Sequence, residues 1–140
     1  MTRVFLDTNV LVDYLAHRGN FFEEATMIIS LAINKKIKLY AASMSFATAS
    51  YLMAKHYHND SAAIKLAISN FIKYCHVTVV DRSTVETSVS SAFDDFEDGM
   101  QNACAMECKA DYIVTRNVDD FTASSLNVVE PSQFLQALIS

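Results

Sequence analysis

The order of apolar runs along the chain predicts an α/β protein: short strands separated by helices, forming a mostly parallel sheet of about five strands covered on both faces. Three observations lead there. Apolar triplets such as Val4-Phe5-Leu6 and Tyr112-Ile113-Val114 alternate with stretches of helical period. Only two glycines and one proline occur, too few for a turn-dense all-β chain or a collagen-like one. Hydrophobic residues make up 51% of the 140 positions, enough for a core without disulfide staples.

The first strand covers residues 4–6 and ends at Asp7-Thr8-Asn9. Residues 10–18 read as a helix with Val10, Leu11, Tyr14 and Leu15 on one face, broken by Gly19-Asn20. A second helix, residues 21–34, carries the stripe Phe22, Ala25, Ile29 and Ala32. Residues 37–42 suit a short buried strand, after which Ser43 or Ser45 is expected to cap a helix reaching about His56. Then come a helix over 61–74, a β-branched strand over 76–80, and a Ser/Thr-rich helix start after Asp81. A helix over 96–110, strands at 112–114 and 127–129, and a closing helix with Pro131 in its first turn complete the series. Nothing resembling a linker or repeat divides the chain, so one domain over 1–140 is expected.

The net charge of -5 gives no strongly basic footprint for duplex DNA or an anionic membrane. Three cysteines, Cys75, Cys104 and Cys108, cannot all pair within the chain. With no signal peptide before Asp7, a reduced, cytoplasmic setting is expected. No apolar run approaches the ~20 residues that span a bilayer, so no membrane partner is expected.

In a parallel sheet the functional crevice lies beyond the carboxyl ends of the strands, and three groups of acids sit there. Asp7 ends the first strand; Asn9 is equally able to cap the next helix, which frees Asp7 for other work. In Asp94-Asp95-Phe96-Glu97-Asp98, Asp95 is the expected N-cap. Helical spacing places Asp95, Asp98 and Asn102 on one face, with Phe96, Met100, Ala103 and Cys104 on the other, buried one. The third group follows the 112–114 strand as Thr115-Arg116-Asn117-Val118-Asp119-Asp120-Phe121. Carboxylates crowded together raise one another's pKa and need a compensating charge. A hard divalent cation with oxygen ligands supplies it, and two such ions serve phosphodiester hydrolysis.

These residues resemble the PIN-domain family of metal-dependent ribonucleases, which includes the VapC toxins of bacterial toxin–antitoxin pairs. The likeness rests on Phe5-Leu6-Asp7-Thr8-Asn9-Val10-Leu11, on Asp95-Phe96-Glu97-Asp98 with its helix, and on Thr115-Arg116-Asn117 followed by Asp119-Asp120-Phe121. It implies a three-layer α/β/α sandwich, Mg2+ or Mn2+ as cofactor, and cleavage of RNA. By position, Asp7 and Asp98 stand for the central metal ligands, with Asp95 assisting, and Asn117 and Asp120 complete the catalytic group. Thr8, Asn9 and Thr115 would orient the carboxylates from behind. The resemblance also implies a small antitoxin partner reaching into the acidic crevice, and a homodimer. One position departs from the family pattern: the helix after the second strand usually carries an acid early on, and Thr48 stands there instead, with a hydroxyl that could hold a metal-bound water from the second layer but not offset cation charge.

Two other readings compete. The Thr48 substitution supports a non-catalytic PIN-like module that binds RNA or a protein. An aspartyl phosphotransferase with Asp7 as nucleophile is disfavoured, because Asn9 stands where a second Asp is wanted. The cysteines read as core, and His17, His56, His58 and His76 show no matched metal spacing. Lys35, Lys36 and Lys38, with Lys55, Lys65, Lys73 and Arg116, are candidates for holding RNA.

Overall fold

A computed structural model describes residues 1–139. The chain runs β1 (Thr2–Leu6), α1 (Thr8–Leu15), α2 (Phe21–Ile33), β2 (Ile37–Ala42), α3 (Ser43–His56), α4 (Ser61–Phe71) and β3 (His76–Thr78). It continues through α5 (Arg82–Val89), α6 (Phe96–Glu107), β4 (Tyr112–Val114), a 3-10 turn (Val118–Phe121), β5 (Asn127–Val129) and α7 (Pro131–Ile139). Among the described residues five strands form one sheet in the order β3-β2-β1-β4-β5. Every pair is parallel. This is the α/β/α arrangement that the sequence implies.

Alternation along the strands divides the core in two. Val4, Leu6, Leu39, Ala41 and Val114 face one way, onto Leu11, Ile28, Ile29, Met53, Phe71 and Phe134 from α1–α4 and α7. Phe5, Tyr40, Ala42 and Ile113 face the other way, onto Cys104 and Ala105 of α6 and onto Phe121. Each strand of the sheet's centre is therefore apolar on both faces, which is why it reads as an unbroken hydrophobic run.

Several boundaries differ from the sequence expectation, each for a local reason. Helix α1 starts at Thr8 because Asp7, not Asn9, is its N-cap. Neither Ser43 nor Ser45 caps α3: Ala42 occupies that position without a side-chain bond, and Ser45 turns inward instead. Strand β3 stops at Thr78, and Asp81 then opens α5 with a reciprocal capping box to Thr84. Helix α6 ends at Glu107 rather than 110, and its buried face is Gln101, Asn102, Cys104 and Ala105; Phe96 is 45% exposed. Asn102 leaves the acidic face and accepts from Ser124 Oγ at 2.6 Å.

Helix α6 also lies close against α5. A Cβ on Gly99 would stand 2.3 Å from Ser88 Oγ, and that hydroxyl donates to Phe96 O at 2.7 Å. The Ser88 hydroxyl thus joins the Asp95 cap in holding the first turn of α6, the turn that carries Asp98. On the other side of the sheet, the buried Asp13 accepts from Arg18 Nε and from Arg116 Nε, both at 2.8 Å. This ties the middle of α1 to the loop after β4.

With glycine so scarce, α1, α2, α3 and α6 are followed by left-handed residues of other types. His17, Lys35, His58 and Lys109 have φ between 54° and 58°. Around Lys109, Ala110 N bonds Ala105 O at 2.9 Å and Lys109 N bonds Met106 O at 3.0 Å, a Schellman ending where glycine is the usual residue. A Cβ in that conformation costs about 1 kcal/mol, partly offset by the greater chain entropy of glycine when unfolded. Lys109→Gly is accordingly expected to stabilise the protein by about 0.5 kcal/mol, a rise of roughly 2 °C in Tm by scanning calorimetry.

Candidate active site

Strand order reverses between β1 and β4: from β1 the chain builds outward to β2 and β3, and β4 and β5 fill the other side. In open parallel sheets this switch point leaves a crevice at the carboxyl ends of the two strands. Asp7 and Thr115 are the residues just beyond those ends. The backbone holds them level: Asp7 N donates to Val114 O at 3.0 Å, and Thr115 N donates to Val129 O at 3.0 Å.

Asp7 is 3% exposed and its carboxylate is surrounded by donors. Oδ1 accepts from Thr8 N at 2.8 Å and from Gln101 Nε2 at 2.8 Å. Oδ2 accepts from Thr115 Oγ1 at 2.7 Å. Burial pushes the Asp7 carboxyl upward in pKa, the bonds from Thr115, Gln101 and Thr8 pull it back, and the charge of Asp120 adds to the rise. The net direction is up. Capping and placement at the crevice are thus one geometry, since the bond to Thr8 N is also the cap of α1.

The other acids lie across the crevice. Asp95 N-caps α6, its Oδ1 accepting from Asp98 N at 2.9 Å. A cleft of about 120 Å³ is lined by Asp94, Asp95, Asp98, Asp119 and Asp120, with no lysine or arginine among its walls. Asp98 is pushed up to about 7, first by burial and then by the charges of Asp95, Asp7, Asp120 and Glu97. Glu97 is raised as well, by burial, Asp95 and Asp7. Asp7, Asp95, Asp98 and Asp120, drawn from three separate segments, therefore share one electrostatic field.

The remaining sequence candidates fall into two groups. Thr8 and Thr115 belong to the Asp7 network, through Thr8 N and the Thr115 hydroxyl, which also accepts from Asn117 N at 3.0 Å. Asn117 itself is exposed and makes no side-chain cap bond in the 3-10 turn it opens. Asn9 contributes its backbone carbonyl, which accepts from Arg18 Nη2 at 3.1 Å. Thr48 is half-buried and spends its hydroxyl on Met44 O at 3.4 Å.

Two residues absent from the sequence's site candidates support Asp7 and Thr8. Gln101 is 2% exposed, and besides donating to Asp7 it accepts from Thr8 N through Oε1 at 3.1 Å. The signal was present: an amide three residues after Asp98, on the same helix face as Cys104 and Ala105. Ser45, fully buried, shares a 2.7 Å hydrogen bond with Thr8 Oγ1. Helix α3 thus reaches the site through Ser45, by way of Thr8. Arg116, a candidate RNA contact, is committed to Asp13 and stacks 3.9 Å above the Phe21 ring.

The PIN domain family model matches residues 3–119. The chain belongs to the PIN domain family. No curated protein matches it by sequence. Among solved structures, this PIN domain superposes on VapBC2 from Rickettsia felis bound to a promoter DNA fragment, with a TM-score of 0.66 at 14% identity over 92% of this chain and 98% of that one. A toxin–antitoxin complex from Klebsiella pneumoniae matches with a TM-score of 0.64 at 20% identity, over 91% and 97%. VapC20 of Mycobacterium tuberculosis, a Sarcin-Ricin loop cleaving toxin, gives 0.60 at 14% identity over 79% and 86%. At these identities the likeness is one of fold. Among the described residues no helix is long and apolar enough to cross a membrane.

The raised Asp98 carboxyl makes a stability prediction with a definite sign. Its folded pKa of about 7 exceeds the ordinary 3.8, so the folded state resists ionisation that the unfolded chain undergoes freely. Stability is lost as pH rises from about 4 to about 7. Asp98→Asn removes that loss. Thermal melts in EDTA are expected to show the variant more stable above pH 7, by about 1 kcal/mol after allowing for solvent screening, and equal to the parent below pH 4.

Proposed function

We propose that this PIN domain is a metal-dependent endoribonuclease that hydrolyses RNA phosphodiester bonds and serves as the toxin of a type II toxin–antitoxin pair. The observation that carries the reading is the field that Asp7, Asp95 and Asp120 share at Asp98, beside a cleft that no lysine or arginine lines. Such a field is stabilised by cation binding, and the donors are all hard oxygens suited to Mg2+ or Mn2+. Among the described residues no three His, Cys, Asp or Glu side chains form a ready-made metal cage. Mg2+ commonly takes only one or two carboxylates and completes its shell with water and substrate phosphate, so the donor set fits. Asp7 and Asp98 would hold the ion, with Asp95 and Asp120 beside it.

When bound, the ion supplies Lewis acidity and lowers the pKa of water. The chain's own contributions are positional and electrostatic. Thr115 Oγ1 and Gln101 Nε2 fix the two oxygens of Asp7. Ser45 fixes Thr8, and the Asp95 cap fixes the turn that presents Asp98. Asp120 adds negative charge from the β4 side, and the exposed Asn117 amide beside it is free to meet substrate. The solved relatives described as toxin–antitoxin complexes support a small antitoxin partner encoded beside this gene.

The second reading, a non-catalytic binding module, draws on α3. That helix brings the Ser45 hydroxyl toward the Asp7 network, while Thr48 bonds its own helix. The two readings separate in one experiment. Incubation of mixed cellular RNA with Mn2+ or Mg2+ is expected to give discrete cuts that EDTA abolishes and Asp7→Asn reduces at least 100-fold. Uncut RNA with a folded parent protein, in the absence of any antitoxin, favours the binding module.

Gln101 offers a sharper probe of the same site. Gln101→Met keeps the length of the side chain but removes a donor to Asp7 and an acceptor for Thr8 N. Supporting bonds of this kind are commonly worth 10–100-fold in metal affinity. Mn2+ binding measured by calorimetry is expected to weaken by about that factor, while Gln101→Glu, which adds an acid, changes the pH dependence of binding as well.

A further inference from the structure

The acids and lysines of this chain are not mixed. Residues 25–80 contain six of the seven lysines and a single acid, Asp60, while the other 15 acids lie outside that stretch. Folding gathers part of the basic stretch into one place. A groove of about 380 Å³ opens where β2 and β3 begin, at the opposite edge of the sheet from Asp7. Lys35, Lys38 and Lys73 line it, together with Ile33, Tyr74 and His76, and no acid does.

We propose that this groove docks the phosphates of single-stranded RNA, deepening the nuclease reading, on which the choice of RNA rests. The three ammonium groups are exposed, and among the described residues none of them pairs with a carboxylate. The nearest polar partner of Lys73 is the uncharged Asn70 Oδ1, at 3.4 Å. Tyr74 is 43% exposed and Ile33 43%, so an apolar and aromatic surface lies between the charges. Ammonium groups that follow a backbone, with a ring on which a base can stack, are the means by which single strands are held without sequence preference. A carboxylate-bearing peptide would use the same charges but would leave the ring without a matching partner.

The need for such a site follows from the charge of the catalytic end. A cleft walled by five aspartates repels a polyanion until a cation is present. Affinity for RNA then has to come from elsewhere on the surface, and the phosphate contacts that supply most nucleic-acid affinity require lysine or arginine. The five-residue β1 spans about 17 Å, so the two ends are within reach of one extended strand of RNA. Arg116, the cation nearest the cleft in sequence, is held by Asp13. The groove brings three lysines onto one surface.

Lys35 also provides a control against misfolding. It occupies the left-handed C-terminal position of α2, with φ of 58°, where Lys36 N bonds Leu31 O at 2.8 Å. Lys35→Gly therefore removes the charge while relieving the backbone. A variant that gains stability and loses RNA cannot be losing it through unfolding.

The test is fluorescence anisotropy with a labelled oligouridylate of about 12 nucleotides, in EDTA, across roughly 50 to 200 mM salt. Parent protein is expected to bind with an affinity that falls as salt rises. In Lys35→Gly/Lys38→Gln/Lys73→Gln the logarithmic salt slope is expected to flatten by about 2, at about 0.7 for each phosphate no longer neutralised. Lys55→Gln, a lysine of the same stretch that does not line the groove, is expected to leave at least two thirds of that difference intact. An unchanged slope in the triple variant, or equal flattening by Lys55→Gln alone, overturns the proposal. So does loss of binding to polyglutamate without loss of RNA binding, which assigns the groove to an acidic protein segment. Metal-dependent cleavage with an unchanged slope leaves the nuclease standing and removes the groove; a flattened slope without cleavage does the reverse.

Discussion

A carboxylate buried at the point where the sheet changes direction is the constraint around which the rest is arranged. Asp7 has almost no contact with solvent, so its charge must be met by the protein. Three donors meet it from three segments: Thr8 N from its own helix, Gln101 from α6, and Thr115 from the end of β4. Each of those partners is itself held. Thr8 is bonded to Ser45 of α3, and Gln101 also accepts from Thr8 N. The strand register that aligns Leu6 with Val114 is what lets Thr115 reach across at all. Moving any one of these elements would leave a buried polar group without its partner, so the candidate site and the packing of four elements are a single requirement.

The opposing acids are arranged differently. Asp98 sits on the first turn of α6, whose start is fixed by the Asp95 cap and by the close approach of Ser88 to Gly99. Burial and four neighbouring acids raise its pKa to about 7, so its charge lacks support in the absence of a cation. The site therefore holds more negative charge than the fold alone favours. That is the expected state of a centre whose stability is completed by a ligand, and it runs opposite to the Asp13 cluster, where two arginines already neutralise the acid.

The sheet was legible in the sequence because its central strands are apolar on both faces, as β1 and β2 show. The positions of Asp7, Asp95 and Asp98 were legible because strand ends and helix caps are local features. What was not legible depended on tertiary direction. Asn9 looked as able as Asp7 to cap α1, and only the orientation of the chain leaving β1 gives the role to Asp7. Ser45 looked like a cap and became a buried partner of Thr8, because the turn after Ala42 needs no side-chain bond. Phe96 looked like core and is exposed, since the face of α6 that meets the sheet carries Gln101 and Asn102. A buried amide leaves no periodic signal of its own; it is recognised only by the carboxylate it serves.

The departure at α3 has a physical consequence for the proposed chemistry. An acid directed from this helix toward Asp7 would add another charge to a centre that already raises Asp7, Glu97 and Asp98. With hydroxyls in place of that acid, the charge to be balanced is confined to the Asp7, Asp95, Asp98 and Asp120 side of the crevice. A divalent cation held there would offset part of that charge, and a second would lack an anionic ligand on the α3 side. On the nuclease reading, Asp7 and Asp98 would hold a cation from their side of the crevice, and the α3 side would offer hydroxyls that could orient water but not offset cation charge.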